Sequence, residues 1–261
     1  MNILDLTSIY PNAAADFEGR SVEALAHAWC QQGALVTTLV LKPWAPMWLA
    51  GRLEGYRHLG VQDERRHSGN HTVISRHYRH LPDRLGANES GANARAMCRR
   101  ALTIVHREEI FPDCVHAEGI VVAIAAERVA RALEVPLFVT LRDSVRHFED
   151  EPMRRLTRWA AQALSSARRI FVLNPDQKCA VPRFFSEVDP AKLVVAPNGI
   201  DTGAILRRLA AAPIVRGPFA GRIASVCTLQ RYKGIHENLH ALHALKRQGI
   251  EDWRYTIVGD G

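Results

Sequence analysis

At 261 residues, with 47% hydrophobic and 23% charged side chains, the chain has enough apolar content for one large or two medium globular domains, which excludes a disordered or fibrous protein. No window approaches the roughly 18 uninterrupted apolar residues of a membrane span, and Met1-Asn-Ile-Leu-Asp-Leu lacks the basic start of a secretory signal, so a cytoplasmic protein is expected. The five cysteines show no C-x-x-C spacing and suggest buried free thiols rather than a zinc site or a disulfide framework, and the net charge of +7 comes almost wholly from arginine.

In chain order, β-branched and apolar runs predict strands at 2–6, 35–41, 72–75, 114–116, 136–141, 169–173 and 192–196. Helical spacing falls between them at 21–32, where Val22, Leu25, Ala26 and Trp29 share a face, and at 88–106, 120–133, 151–167 and 175–185. Seven strands alternating with helices predict a doubly wound parallel sheet. Ala210 to Pro218 reads as a linker. Beyond it a run at 222–229, helical spacing through Ile235, Leu239, Leu242 and Leu245, and a run at 253–258 form one further strand, helix and strand. The division is then 1–205, a linker at 206–218, and a second α/β domain at 219–261.

Charge is unevenly placed. Between Arg52 and Arg107 lie eleven arginines against five acids, with six of the twelve histidines, and just upstream Trp44 and Trp48 stand beside prolines. This stretch is open to two readings, a solvated basic face or a surface for anionic lipid or a phosphorylated acceptor. Tryptophan suits a membrane interface as well as a core.

Some loops carry chemistry. Asn198-Gly199 after Pro197 is a turn pair tolerant of positive φ. Lys233-Gly234 opens a helix after a parallel strand, where free backbone N–H groups suit phosphates. Pro112-Asp-Cys-Val-His-Ala117 ends another strand, and Val258-Gly-Asp-Gly261 follows the last one.

Taken in order over nearly the whole chain, Tyr10-Pro11 with Gly19, Pro112 to Ala117, Pro197-Asn-Gly-Ile-Asp201, Lys233-Gly234 and Val258-Gly-Asp-Gly261 resemble a glycosyltransferase of GT-B fold, of the family 4 kind. The resemblance implies a doubly wound N-terminal domain followed by a truncated C-terminal domain that stops before the family's two spaced glutamates. It implies transfer of a sugar, with retention, from a nucleotide-diphosphate sugar to a carbohydrate or lipid-linked acceptor in polysaccharide or glycolipid biosynthesis. Neither metal, cofactor nor nucleic acid is expected. The chain as it stands is expected to transfer sugar poorly, with marginal order after about residue 217. The alternative is a sugar- or acceptor-binding module of the same fold without activity.

Residue by residue, the resemblance makes Gly19, Asn198, Gly199, Thr228, Lys233 and Gly259 the candidates for donor binding. Gly19 also reads as a plain loop glycine, and Lys233 as decoration of a helix start. His116 and Ser144 are the acceptor-side candidates. Arg142 and Asp143 stand where the family usually has His-Gly, its histidine facing the transferred sugar. A guanidinium stays protonated and offers only donors, so Arg142 either holds an anionic acceptor group, marks a remodelled site, or pairs with Asp143 on the surface. His147 is a further source of an imidazole. Cys227-Thr228-Leu229 replaces the family's Gly-Arg-Leu, which leaves Lys233 as the one remaining phosphate clamp.

Overall fold

The structure is a computed structural model and describes residues 1–11, 19–44, 63–80, 91–142, 153–200, 202–211 and 221–259. The chain divides after Asp201 into two compact units.

The first unit is an eight-stranded sheet in the order β3-β4-β2-β1-β5-β6-β7-β8. Its strands are β1 (Asn2–Thr7), β2 (Leu35–Pro43), β3 (Glu64–Ser68), β4 (His71–Tyr78), β5 (Cys114–Glu118), β6 (Leu137–Leu141), β7 (Arg169–Val172) and β8 (Leu193–Val195). All neighbours are parallel except β3, which pairs antiparallel with β4 at the edge. The helices are α1 (Arg20–Gln31), α2 (Ala92–Arg107), α3 (Ile120–Ala132), α4 (Thr157–Ser166) and α5 (Pro175–Phe184).

The doubly wound parallel sheet is as expected, with eight strands instead of seven. The additional strand, β3, reads Glu-Arg-Arg-His-Ser and has no apolar alternation. It forms because Gly69, at φ +57°, and Asn70 turn the chain back onto β4, a two-residue hairpin of the kind glycine and asparagine permit. The helix expected from residue 151 is a 3-10 turn at Met153–Leu156 followed by α4.

The two faces of this sheet differ, and the difference positions the site. Side chains alternate along each strand. On one face Leu4, Leu6, Leu39, Leu41, Val115, Ala117, Val139 and Leu141 join residues of α2, α3 and α4 in the main core. Each leucine or valine among them contributes about 1.5–3 kcal/mol on full burial. The opposite face, under α1, carries Ile3, Val36 and Cys114 packed with Ala26, Trp29 and Phe138. Two residues further along the same strands stand Asp5, Thr38, His116 and Thr140, all buried.

The second unit contains α6 (Thr202–Ala211), β9 (Gly221–Val226), α7 (Ile235–Arg247) and β10 (Trp253–Val258), with β9 and β10 parallel in register from Gly221↔Trp253 to Val226↔Val258. The strand, helix and strand expected here are present. Residues 206–211 of the expected linker belong to α6, whose Ile205, Leu206 and Leu209 alternate with helix-favouring alanine and arginine. The remainder of that linker lies outside the described residues.

Candidate active site

In the first unit the chain winds outward from β1 through β2 to β4, then returns to β5 and winds the other way to β8. The reversal falls between β1 and β5. In open parallel sheets, ligands bind beyond the carboxyl ends of the strands at such a switch point. Here those two strands carry Asp5, His116 and Glu118.

These residues belong to a row of polar groups that crosses five adjacent strands. Register sets Thr38 beside Asp5, Asp5 beside His116, and Glu118 beside Thr140. His116 Nδ1–H donates to Asp5 Oδ1 at 2.8 Å, and its Nε2 shares a hydrogen bond with the Thr140 hydroxyl, also at 2.8 Å. Thr38 donates its single hydroxyl proton to Asp5 Oδ2 at 3.3 Å, so His71 Nε2–H, 3.0 Å away, is the donor to the Thr38 oxygen. The His71 ring is held below its ordinary pKa, by burial first and then by the nearby His27. Trp29 of α1 meets the His116 ring edge-on at 4.9 Å and seals it from above.

Glu118 closes β5, and its carboxylate is almost completely buried, with a side chain 1% exposed. Arg142, just past β6, satisfies it from two points: Nη2–H donates to Oε1 at 2.9 Å and Nε–H donates to Oε2. The third donor, Nη1–H, goes to Asn198 Oδ1 in the loop after β8. Burial pushes the Glu118 carboxyl above the usual carboxylate range, while its hydrogen bond to Arg142 pulls the other way. Gly119, at φ +91°, follows directly; its N–H donates to Thr140 O at 2.9 Å and its carbonyl accepts the first bond of α3, from Ala123. The backbone ahead of Arg142 is tied down by the buried Gln177 of α5, whose Nε2–H donates to Leu141 O at 3.1 Å while Oε1 accepts from Leu173 N–H at 2.8 Å.

Asp5, His116 and Glu118 also bring three potential metal ligands within 4.8 Å of one another. Each of these atoms already has a hydrogen-bond partner within the protein: Arg142 donates to both oxygens of Glu118, Thr38 and His116 donate to Asp5, and both nitrogens of His116 are bonded.

Of the residues singled out from sequence, Arg142 and Asn198 come together at this site. His116 is also there, beneath Arg142, its ring buried and both nitrogens bonded. The partner of Arg142 is Glu118; Asp143, Ser144 and His147 lie outside the described residues. Gly199 is exposed with no atom near its missing Cβ. Gly19 opens α1 at φ +68° with its missing Cβ 2.8 Å from the backbone of Ile9 and Tyr10, so tight backbone packing requires glycine there.

In the second unit Thr228 follows β9, and Lys233 ends a 3-10 turn (Arg231–Lys233) with its ammonium 4.9 Å from the Tyr232 ring. Gly234, at φ +72°, then opens α7. A Cβ on Gly259, at φ +152°, would lie 1.8 Å from the Cys227 carbonyl oxygen, so the strand end admits no side chain.

Asp5, Glu118 and Gln177 escaped the sequence reading. Asp5 left a signal in the sequence, a carboxylate between Leu4 and Leu6 in an apolar strand, whereas the burial of Glu118 emerges only with the strand in place in the sheet.

Solved structures share this architecture. The trehalose-6-phosphate structure from E. coli bound with UDP-2-fluoro glucose has a TM-score of 0.68 at 14% identity, covering 100% of this chain and 65% of that one. Sucrose-phosphate synthase from Thermosynechococcus elongatus has a TM-score of 0.61 at 14% identity, covering 100% and 71%. The catalytic domain of starch synthase IV from Arabidopsis thaliana, bound to ADP and acarbose, has a TM-score of 0.58 at 13% identity, covering 99% and 68%. The fold is that of GT-B glycosyltransferases, and the chain spans 65% of the length of the first of these structures. No curated protein matches the chain in sequence. Residues 18–199 match the glycosyl transferase 4-like domain, and the chain belongs to that family.

Proposed function

We propose that the protein transfers a sugar from a nucleotide-diphosphate sugar to a carbohydrate or lipid-linked acceptor, with retention of configuration, in polysaccharide or glycolipid biosynthesis. The observation that carries this reading is the meeting of Glu118, Arg142 and Asn198 at the switch point of a doubly wound sheet, the place where such folds bind ligands. Family membership and the UDP and ADP ligands of the neighbouring structures support the donor class.

In this reading the first unit takes the acceptor, and Arg142 presents a fixed positive charge to the reacting groups, with Asp143 and Ser144 following it in the catalytic loop. The second unit takes the donor, with Lys233 on the diphosphate as a charged hydrogen-bond donor and Gly259 leaving room for the nucleotide. Gly19, Asn198, Gly199 and Thr228 complete the donor side. Catalysis rests on electrostatic stabilisation of the departing diphosphate, and no step is routed through a metal or cofactor. The division at 1–205, 206–218 and 219–261 follows the same reading.

A cytoplasmic protein is proposed, touching the inner membrane surface through the basic stretch from Trp44 to Arg107. Among the described residues, part of that charge is matched locally, Arg65 by Glu108 at 2.7 Å and Arg66 by Glu64 at 3.2 Å. Co-sedimentation with anionic but not neutral vesicles, lost at high salt, is the expected result, since each basic residue near such a surface contributes about 1 kcal/mol that salt screens. Equal recovery in both supernatants contradicts the membrane contact.

The test of the function is release of nucleoside diphosphate by the complete gene product from a panel of uridine, guanosine and adenosine diphosphate sugars with candidate acceptors. Binding without turnover would favour the inactive module instead. That alternative draws on the Glu118 and Arg142 pair, whose charges match each other without a substrate.

A further inference from the structure

We propose that Glu118 is a positioning residue for Arg142: it fixes the guanidinium so that its remaining donors meet an anionic oxygen of the bound substrate. The inference rests on the transferase reading above. Arginine carries five N–H donors. Among the described residues, two of them grip Glu118 and a third holds Asn198, which leaves two for a substrate. The three bonds come from two directions, the end of β5 and the loop after β8, so the guanidinium plane cannot turn. The Arg142 side chain is 11% exposed, which leaves an edge of it within reach of solvent.

The geometry also accounts for the polar row beneath. A carboxylate as buried as Glu118 is a costly support for an arginine unless its own position is fixed. His116 Nδ1 lies 3.8 Å from Glu118 Oε1, and His116 is itself locked between Asp5 and Thr140. Asp5 is held in turn by Thr38, and Thr38 by His71. Five strands of the sheet thus converge on the orientation of one guanidinium. Packing alone does not require such an arrangement, since the opposite face of the same strands packs through Leu4, Leu6, Leu39, Leu41, Val115, Ala117, Val139 and Leu141. Preorganised charge of this kind costs no reorganisation during reaction.

Two measurements on the complete gene product test this. The first is the NMR spectrum of protein carrying 15N-labelled arginine, with the Arg142 Nε–H assigned by its disappearance in Arg142→Lys. The expected result is a resonance protected from solvent exchange in the unaltered protein that moves into the averaged arginine envelope in Glu118→Gln; an unchanged, protected resonance in Glu118→Gln overturns the proposal. The second is a kinetic cycle of Glu118→Gln, Arg142→Ala and the double variant. Expected is a fall of about tenfold or more in kcat for Glu118→Gln, partial recovery in Glu118→Asp, and a double variant no worse than Arg142→Ala alone. Effects that multiply overturn it, because Glu118 would then act independently of Arg142. A gene product that turns over no nucleotide sugar refutes the transferase reading, and the NMR result then decides the positioning by itself.

Discussion

Glu118 and Arg142 form a two-point ion pair across two neighbouring strands: Thr140 is the register partner of Glu118, and Arg142 lies two residues beyond Thr140, on the same side of the strand. The pair therefore follows from strand register, and its energetics follow from burial.

Removing one partner of a buried pair leaves an uncompensated charge and costs about 3–5 kcal/mol. Arg142→Ala should lose stability of that order near neutral pH. The loss depends on pH with a definite sign. Burial raises the folded-state pKa of Glu118, so between the ordinary carboxylate range and that raised value the unfolded chain has released a proton that the folded chain keeps. Stability falls as pH rises through this window. Without Arg142 the pKa rises further and the window widens. Urea unfolding should show a larger deficit for the variant at about pH 7 than at about pH 4.5, where Glu118 approaches its protonated form. Equal deficits at the two pH values would contradict the pairing.

Two glycines separate backbone strain from steric clash. Gly33→Ala meets no atom within 4 Å and pays only for φ +83°, about 1–2 kcal/mol. Gly19→Ala carries a similar strain at φ +68° and also sets a Cβ 2.8 Å from the Ile9 and Tyr10 backbone. Thermal unfolding should place Gly19→Ala below Gly33→Ala. The reverse order would mean that the loop entering α1 packs differently.

The strands of the first sheet were legible because parallel strands buried on both faces read as β-branched runs, as in Leu35 to Leu41. The edge strand β3 was not, since one neighbour and an exposed face relieve Glu64 to Ser68 of any apolar pattern; only the Gly69-Asn70 turn marked it. Residues 206–211 of α6 were read as linker because Ala210 and Ala211 are followed in the sequence by Ala212 and Pro213, while its apolar residues Ile205, Leu206 and Leu209 are exposed and follow no buried stripe. At the site, Arg142 and Asn198 were visible through loop position. Glu118 was not, because its role depends on the register between β5 and β6, which no local spacing encodes.

Lys233→Ala in the complete gene product should raise the donor requirement and lower donor kcat/KM by about tenfold to a hundredfold, the loss of one charged hydrogen bond worth about 1.5–3 kcal/mol. Thermal stability should hold, since the side chain is exposed and its ammonium meets the Tyr232 ring at 4.9 Å, a contact of small energy at an exposed site. Unchanged donor kinetics would reduce Lys233 to a helix-start residue.

The most direct measurement is nucleoside diphosphate release by the complete gene product from the panel of nucleotide sugars with acceptors, run side by side with Arg142→Ala. The expected result is turnover with at least one donor, in the ordinary enzymatic range of about 1 per second or above, falling about a hundredfold in the variant. Turnover unaffected by loss of Arg142, or donor binding with no turnover in any combination, would contradict a transferase centred on Glu118 and Arg142.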